Sequence, residues 1–265
     1  MDDSPSRVAL ITGGASGLGR STAEALARRG WSIFLQHNSP ADAAEQAVAA
    51  IHQAANKAEQ NIEVASGKAD LTVSEQREQL VEQVLDDFER IDMLVNASAT
   101  PGTADDLLEI TEDAYEHLIR ANVTATLFLT QLVANEMVRL VEAALVENPK
   151  IVTINSISAY TTSADHGPHC ISRAALGMLT RLFADRLGEH GINVYEVRAG
   201  IIATDVADSA HARYDELIAE GLTPIRRWGR AGDVARAVVA IAEDLLTFST
   251  GEVINVDGGF HLRRL

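Results

Sequence analysis

The sequence predicts an α/β fold: a doubly wound parallel sheet with helices on both faces, in one domain over residues 1–265. Three observations predict it. Short apolar runs rich in β-branched residues alternate with helical stretches almost to the end of the chain, as strands alternate with crossover helices. The first run, Val8-Ala9-Leu10-Ile11, leads at once into a glycine-rich turn and then into helix formers. The chain has 265 residues and 46% hydrophobic content, enough for one large core, and no internal repeat or linker divides it.

Each element follows in order. Val8–Ile11 is a strand buried on both faces. After Thr12-Gly13-Gly14-Ala15-Ser16-Gly17-Leu18-Gly19, the residues Ala23, Ala25, Leu26 and Ala27 favour helix, and Gly30 stops it. Residues 31–35 read as the second strand and 41–58 as an alanine-rich helix. Residues 62–65 form the third strand. Ser74–Phe88 is helical, with Ser74 as N-cap and Glu75 behind it. Residues 91–95 are the fourth strand. Helical periodicity then runs over 111–145, with a break expected near its end. Strands at 151–154, 192–197 and Val253–Val256, with helices at 170–187 and 233–245, complete a seven-stranded sheet.

Composition excludes several roles. A net charge of −16 argues against nucleic acid or an anionic membrane as the main partner. No apolar run reaches 18 residues, so no transmembrane helix is expected. Met1-Asp2-Asp3-Ser4 lacks the basic start of a secretory signal. The single cysteine, Cys170, cannot form an internal disulfide, which fits a reducing cytosol. A cytoplasmic protein is expected.

The order strand, glycine turn, helix carries chemistry. Glycines let the backbone turn sharply and approach a ligand without a Cβ in the way. The helix behind them offers unpaired N–H groups and the positive end of its dipole, which suits a pyrophosphate. Gly13, Ser16, Gly17, Leu18 and Gly19 are the candidate contacts. Between the second strand and its helix lies Gln36-His37-Asn38-Ser39, the place that faces the adenosine ribose in a dinucleotide fold. An acid there would bind the free hydroxyl of NAD, and an arginine would suit NADP. Neither is present. His37 and Asn38 can donate to a phosphate, so NADP or NAD stays open, with a lean towards NADP.

The spacing T-G-x-x-x-G-x-G resembles the short-chain dehydrogenase/reductase family, and later stretches extend that resemblance over essentially the whole chain. The family binds NAD or NADP on one Rossmann-type domain. The resemblance implies that Asp70, with Leu71, contacts the adenine, and that Asn96 and Ala97 stand where the family has N-N-A-G. It places Asn122 where a family asparagine holds a water of a proton relay. Asn155-Ser156-Ile157-Ser158 holds the serine that bonds the substrate carbonyl; Ser156 is the aligned residue and Ser158 the weaker candidate. The family then requires Y-x-x-x-K, its tyrosine 13 residues on. That count lands on His169, with Arg173 in the lysine place, inside His169-Cys170-Ile171-Ser172-Arg173-Ala174-Ala175-Leu176. Tyr160 does not restore the motif. Ala199-Gly200 matches a usual Pro-Gly, and the Ile202 backbone and Thr204 hydroxyl match the groups that hold the nicotinamide carboxamide. Residues 207–223 would be a lid, and Thr250-Gly251 with Asp257-Gly258-Gly259 resembles the family's ending. The nearest branch is that of 3-ketoacyl-acyl-carrier-protein reductases.

Two functions are therefore expected. One is an NAD(P)-dependent oxidoreductase of a carbonyl or alcohol, with Ser156 polarising, His169 in the proton role, Asn122 on the relay and Arg173 on the ribose. The other is a catalytically silent nucleotide-binding member acting as sensor, scaffold or partner subunit. Asp165, His166, His169 and Cys170 are metal-type ligands, but no second cluster completes a site, and no metal is expected. A Ser156–His169 hydrolase dyad lacks a nucleophile elbow. The helices that pair across a two-fold axis in the family carry Leu127, Phe128, Val133, Leu176, Leu179, Leu182 and Phe183 here, which implies a homodimer or homotetramer.

Overall fold

Every residue of β1 (Val8–Ile11) is buried, because the strand lies in the middle of a sheet covered on both faces. The computed structural model describes residues 6–102, 104–203 and 208–264, with backbone alone at 208–211. The other strands of the main sheet are β2 (Ser32–His37), β3 (Val64–Lys68), β4 (Met93–Asn96), β5 (Lys150–Ser156), β6 (Asn193–Ala199) and, last in the chain, β9 (Val253–Val256). Their order is β3-β2-β1-β4-β5-β6-β9, and every pairing is parallel. Two short strands, β7 (Ile202–Ala203) and β8 (Gly229–Arg230), pair apart from it. At two residues each, they are too short to show a period in sequence.

Alternate residues of the strands feed two cores. Ala9, Ile11, Ile33, Leu35 and Val95 pack on α1 (Gly17–Ala27), α2 (Ala41–Lys57) and α8 (Ala231–Ala242). Leu10, Phe34 and Leu94 pack on α3 (Ser74–Phe88), α5 (Ala125–Glu142) and α6 (Gly167–Leu187). α4 (Glu112–Ile119) precedes α5, and α7 (Asp208–Ala219) lies between β7 and β8. The chain winds from β1 outward to β3, then from β4 outward to β9. The carboxyl ends of β1 and β4 therefore open a crevice at the reversal, the place where such sheets bind ligands. Among the described residues no helix is long and apolar enough to cross a membrane.

Three local expectations are corrected. Ser74 is not the cap of α3; Val73 holds that position without a side-chain bond, and the Ser74 hydroxyl reaches Glu78 instead. The break in the stretch 111–145 falls in its first half and not near its end: residues Arg120–Thr124 form a π-turn between α4 and α5. A π-turn inserts one residue into the helical ladder without changing the apolar pattern enough to be read. Val133 and Leu176 belong to the chain's own core, at 0% and 3% exposure. The exposed apolar side chains on α5 and α6 are Phe128, Ile171, Met178 and Leu182.

Candidate active site

The glycine turn is built from close contacts. Gly13 has φ +62°, and a Cβ there would lie 2.9 Å from the Ser98 Cα. A Cβ on Gly19 would lie 2.5 Å from the Gly13 carbonyl oxygen. Gly17, at φ +54°, faces open space. Thr12 ties this turn to the loop after β4: its Oγ1 accepts from the Ala97 and Ser98 N–H groups, both at 3.0 Å. Gln36 ties it to β3, accepting from Gly13 N at 3.0 Å and donating to the Ala69 carbonyl at 2.7 Å. α1 starts after Ser16 with no side-chain cap and no acid in its first turn. Its first N–H groups are thus left for an anion. Glycines that admit close approach, an uncapped helix start and open space at Gly17 fit the pyrophosphate of a dinucleotide.

At the far end of the crevice, His37 is buried and its Nδ1 lies 3.2 Å from the Ser39 carbonyl oxygen. One of its two nitrogens is therefore engaged inside its own turn. Asn38 is exposed beside it. Asp70 accepts from both the N–H and the hydroxyl of Thr72, at 2.9 and 2.7 Å, and these bonds hold its carboxyl below the usual range. Leu71 is buried behind it. Asn96 donates to Thr130 at 3.0 Å, which anchors the end of β4 to α5.

The near end is a cleft of about 230 Å³. Leu18 of the glycine turn, Ala97, Ser156, His169, Arg173, Gly200 and Ile202 all line it, together with Ala99, Ile154, Asn155 and Ala199. Residues far apart in sequence meet here because β1, β4, β5 and β6 are neighbours whose carboxyl ends share one edge. Ser156 ends β5 and donates to Ser158 at 3.2 Å, while its Oγ accepts from the Ser158 N–H at 3.1 Å. His169 stands in the first turn of α6. Burial first, then the charges of Arg173 and His166, lower its pKa from 6.5 to about 4, so the ring is neutral at pH 7. Its Nδ1 is buried with no hydrogen-bond partner. Arg173 follows one helical turn on, 7% exposed, and burial lowers its guanidinium to about 10.

Asn122 sits in the π-turn at 1% exposure, outside the cleft wall. Its Oδ1 accepts from Thr100 N at 2.8 Å, and its Nδ2 donates to the Thr100 carbonyl at 3.0 Å and the Ser172 hydroxyl at 3.4 Å. The side chain thereby clips the loop after β4 to α6. That loop reaches His169, for a Cβ on Gly102 would lie 3.6 Å from the His169 Cβ. Gly200 is needed by packing: its Cβ would fall 2.5 Å from the Asp257 Cα. Thr204 and the first residue of the expected lid lie outside the described residues; α7 occupies most of the rest of that lid.

Sequence reasoning did not single out Gln36, Asn155 or Glu196. Asn155 donates from Nδ2 to the Arg173 carbonyl at 2.9 Å and to Glu196 Oε1 at 2.7 Å. Glu196 is fully buried and paired with Arg198 at 2.7 Å. The signal was available: each is a polar residue inside an apolar strand run, and a buried polar group needs a partner.

The family model described as enoyl-(acyl carrier protein) reductase matches residues 13–261. The chain belongs to the short-chain dehydrogenase/reductase family. This family is one of NAD(P)-dependent oxidoreductases of carbonyls and alcohols. The chain is 30% identical over 255 residues to a 3-oxoacyl-[acyl-carrier-protein] reductase of Synechocystis sp., covering 96% of both chains. It is 32% identical to a sorbitol dehydrogenase of Cereibacter sphaeroides, again over 96% of each. A 3-oxoacyl-[acyl-carrier protein] reductase from Brucella melitensis, solved in complex with NAD, superposes with a TM-score of 0.90 at 35% identity. That match covers 98% of this chain and 99% of the other.

Proposed function

We propose that this chain oxidises an alcohol, or reduces the corresponding carbonyl, with Ser156, His169 and Arg173 as its working side chains. The observation that carries the reading is the single cleft that joins Leu18 of the glycine turn to all three. When bound, a nicotinamide dinucleotide supplies or accepts the hydride. The glycine turn and the start of α1 would hold its pyrophosphate, Asp70 its adenosine end, and Gly200 and Ile202 its nicotinamide end. NADP is the preferred form: the turn at His37 and Asn38 has no acid, and Lys68 is the cross-strand neighbour of His37.

The proton on the substrate oxygen is left to this chain. The Ser156 hydroxyl donates to that oxygen and fixes it. His169, neutral at pH 7, accepts the alcohol proton as the carbonyl forms. A ring with a pKa of about 4 returns that proton readily to water. In the reducing direction the same ring is protonated in only roughly one molecule in a thousand at pH 7, so oxidation is the favoured direction for this donor set. Asn122 acts as a positioning residue, since its side-chain atoms are engaged by Thr100 and Ser172.

A second reading is a silent nucleotide-binding subunit. The neutral, half-buried His169 and the engaged Asn122 favour it, because together they offer no strong acid and no side-chain relay. The chain assembles as a homodimer or homotetramer through α5 and α6, and works in the cytosol, where Cys170 stays reduced. The test is turnover of a panel of alcohols and ketones with both dinucleotides. Oxidation of at least one alcohol supports the enzyme; saturable nucleotide binding with no turnover anywhere in the panel supports the silent subunit.

A further inference from the structure

Arg77 is a charged residue on an apolar helix face. The buried residues of α3 are Arg77, Leu80, Val81 and Val84, one stripe at helical spacing. Arg77 is 5% exposed, and its Cζ lies 5.7 Å from the centre of the Phe128 ring. Its one side-chain hydrogen bond among the described residues runs from an NH1 nitrogen to the Leu71 carbonyl oxygen, at 2.6 Å. Burying a charge is costly, and a methionine would fill the stripe without that cost. What the arginine adds is its hold on the turn after β3.

That turn is tied down on both sides of Asp70. Before it, the Ala69 N–H donates to the His37 carbonyl at 3.0 Å, and the Ala69 carbonyl accepts from Gln36 at 2.7 Å. The Asp70 N–H donates to Gln76 Oε1 at 2.6 Å, and its carbonyl accepts from Val73 N at 3.0 Å. After it stands the Leu71 carbonyl on Arg77. Gln76 and Arg77 thus reach back six residues each, from neighbouring places in the first turn of α3. Both Thr72 bonds to the Asp70 side chain end on Oδ1, and Oδ2 takes none among the described residues. We propose that Arg77, with Gln76, is a positioning residue for the adenosine end of the dinucleotide: the pair clamps the backbone around Asp70 so that its free Oδ2 meets the amino group of adenine. The inference rests on the dinucleotide reading above. The Thr72 bonds keep the carboxyl ionised, so it accepts and cannot donate. Adenine offers a donor at that place, whereas hypoxanthine offers a carbonyl oxygen. A carboxylate fixed in position therefore selects adenine over hypoxanthine, since the wrong base leaves two acceptors face to face. Buried behind the turn, Arg77 works through the Leu71 backbone.

Fluorescence titration with NADH, NADPH and the hypoxanthine counterpart of each tests it without turnover. The wild type should bind the adenine forms roughly tenfold or more tighter than the hypoxanthine forms. Arg77→Met should weaken the adenine forms by on the order of tenfold and leave the hypoxanthine forms nearly unchanged, so that the ratio collapses. Its melting temperature should hold or rise, because the stripe on α3 becomes apolar throughout. Arg77→Lys, which can still donate to one carbonyl, should keep part of the ratio. Gln76→Ala removes the other half of the clamp from a half-buried position and should shrink the ratio in the same direction. A merely structural arginine would give a different result: a lower melting temperature, with both bases losing affinity alike. That result overturns the proposal, as does a wild type indifferent to the base or a ratio that survives both Arg77→Met and Gln76→Ala. If no adenine dinucleotide binds the wild type, the dinucleotide reading fails and the proposal with it; if they bind and the ratio is untouched by the variants, only the proposal falls.

Discussion

Asn155 donates from its Nδ2 to the Arg173 carbonyl oxygen at 2.9 Å, and so the last buried residue of β5 sets the position of α6 over the cleft. The same nitrogen donates to the buried Glu196 at 2.7 Å. One amide thus holds a helix, a strand and an ion pair in register. Asn155→Ala leaves both acceptors short of a donor, and the expected loss is about 1–3 kcal/mol of stability. Asn155→Asp should lose more, because it sets a second carboxylate against Glu196. Chemical denaturation of the two variants checks the order; equal stability of Asp and wild type would show that Asn155 does not hold this junction.

The glycine turn makes a paired prediction. Gly19→Ala forces a Cβ to within 2.5 Å of backbone at Gly13, so the turn itself must move. Gly17→Glu meets open space in the free protein but fills the room left for the pyrophosphate and adds negative charge at the start of α1. Both should lose NADH and NADPH binding by fluorescence titration. Gly17→Glu should do so with the smaller fall in melting temperature, the cost there being mainly a side chain at positive φ.

The pKa of His169 sets a pH window. Its folded value, about 4, lies below the ordinary 6.5, so between these two pH values the unfolded chain binds the extra proton. Stability contributed by the neutral ring is full above about pH 6.5 and is lost as pH falls towards 4. Plotted against pH, unfolding free energy should therefore rise across this window, with a shallower rise in His169→Gln. The rate of alcohol oxidation should stay flat from pH 6 to 8 with respect to this ring and fall near pH 4. A rate that titrates near 10 instead would place the proton on another group.

Removing the ring separates the two functions. His169→Ala should lower turnover by roughly 100-fold or more while nucleotide affinity stays nearly unchanged, as expected when only transition-state stabilisation is lost. His169→Tyr with Arg173→Lys restores the family pair. Turnover created by the double change in a chain that otherwise has none would establish the silent subunit, its fold and nucleotide site intact. Turnover indifferent to His169→Ala would remove His169 from the proton path.

The outer surface of α5 and α6 carries Phe128 at 41% exposure and Leu182 at 57%, with Ile171 and Met178 between these values. Four large apolar side chains on two adjacent helices favour self-association with two-fold symmetry. Light scattering at micromolar concentration should give twice or four times the chain mass of 28.4 kDa. Leu182→Glu with Phe128→Glu should shift it to the single chain.

What sequence determined by itself was what local chemistry dictates. Apolar runs separated by helix formers gave seven parallel strands, because a strand covered on both faces must be apolar throughout. The glycines of 13–19 marked a turn that only glycine can make. The family resemblance, counted 13 residues on from Ser156, pointed to His169, and the fold brings the two to one cleft. Tertiary structure decided the rest, because it depends on which groups meet. The π-turn at Asn122 leaves the apolar pattern intact, and only the Thr100 and Ser172 contacts reveal the side chain as a clip. Gln36, Asn155 and Glu196 are unremarkable polar letters until burial requires partners for them. By the family resemblance Arg173 read as a substitute for lysine; only the fold shows it buried, with its Nε unpartnered among the described residues. Its surroundings in the cleft come from the ends of β4, β5 and β6 and from the start of α1, which are far apart along the chain and meet only in the folded sheet.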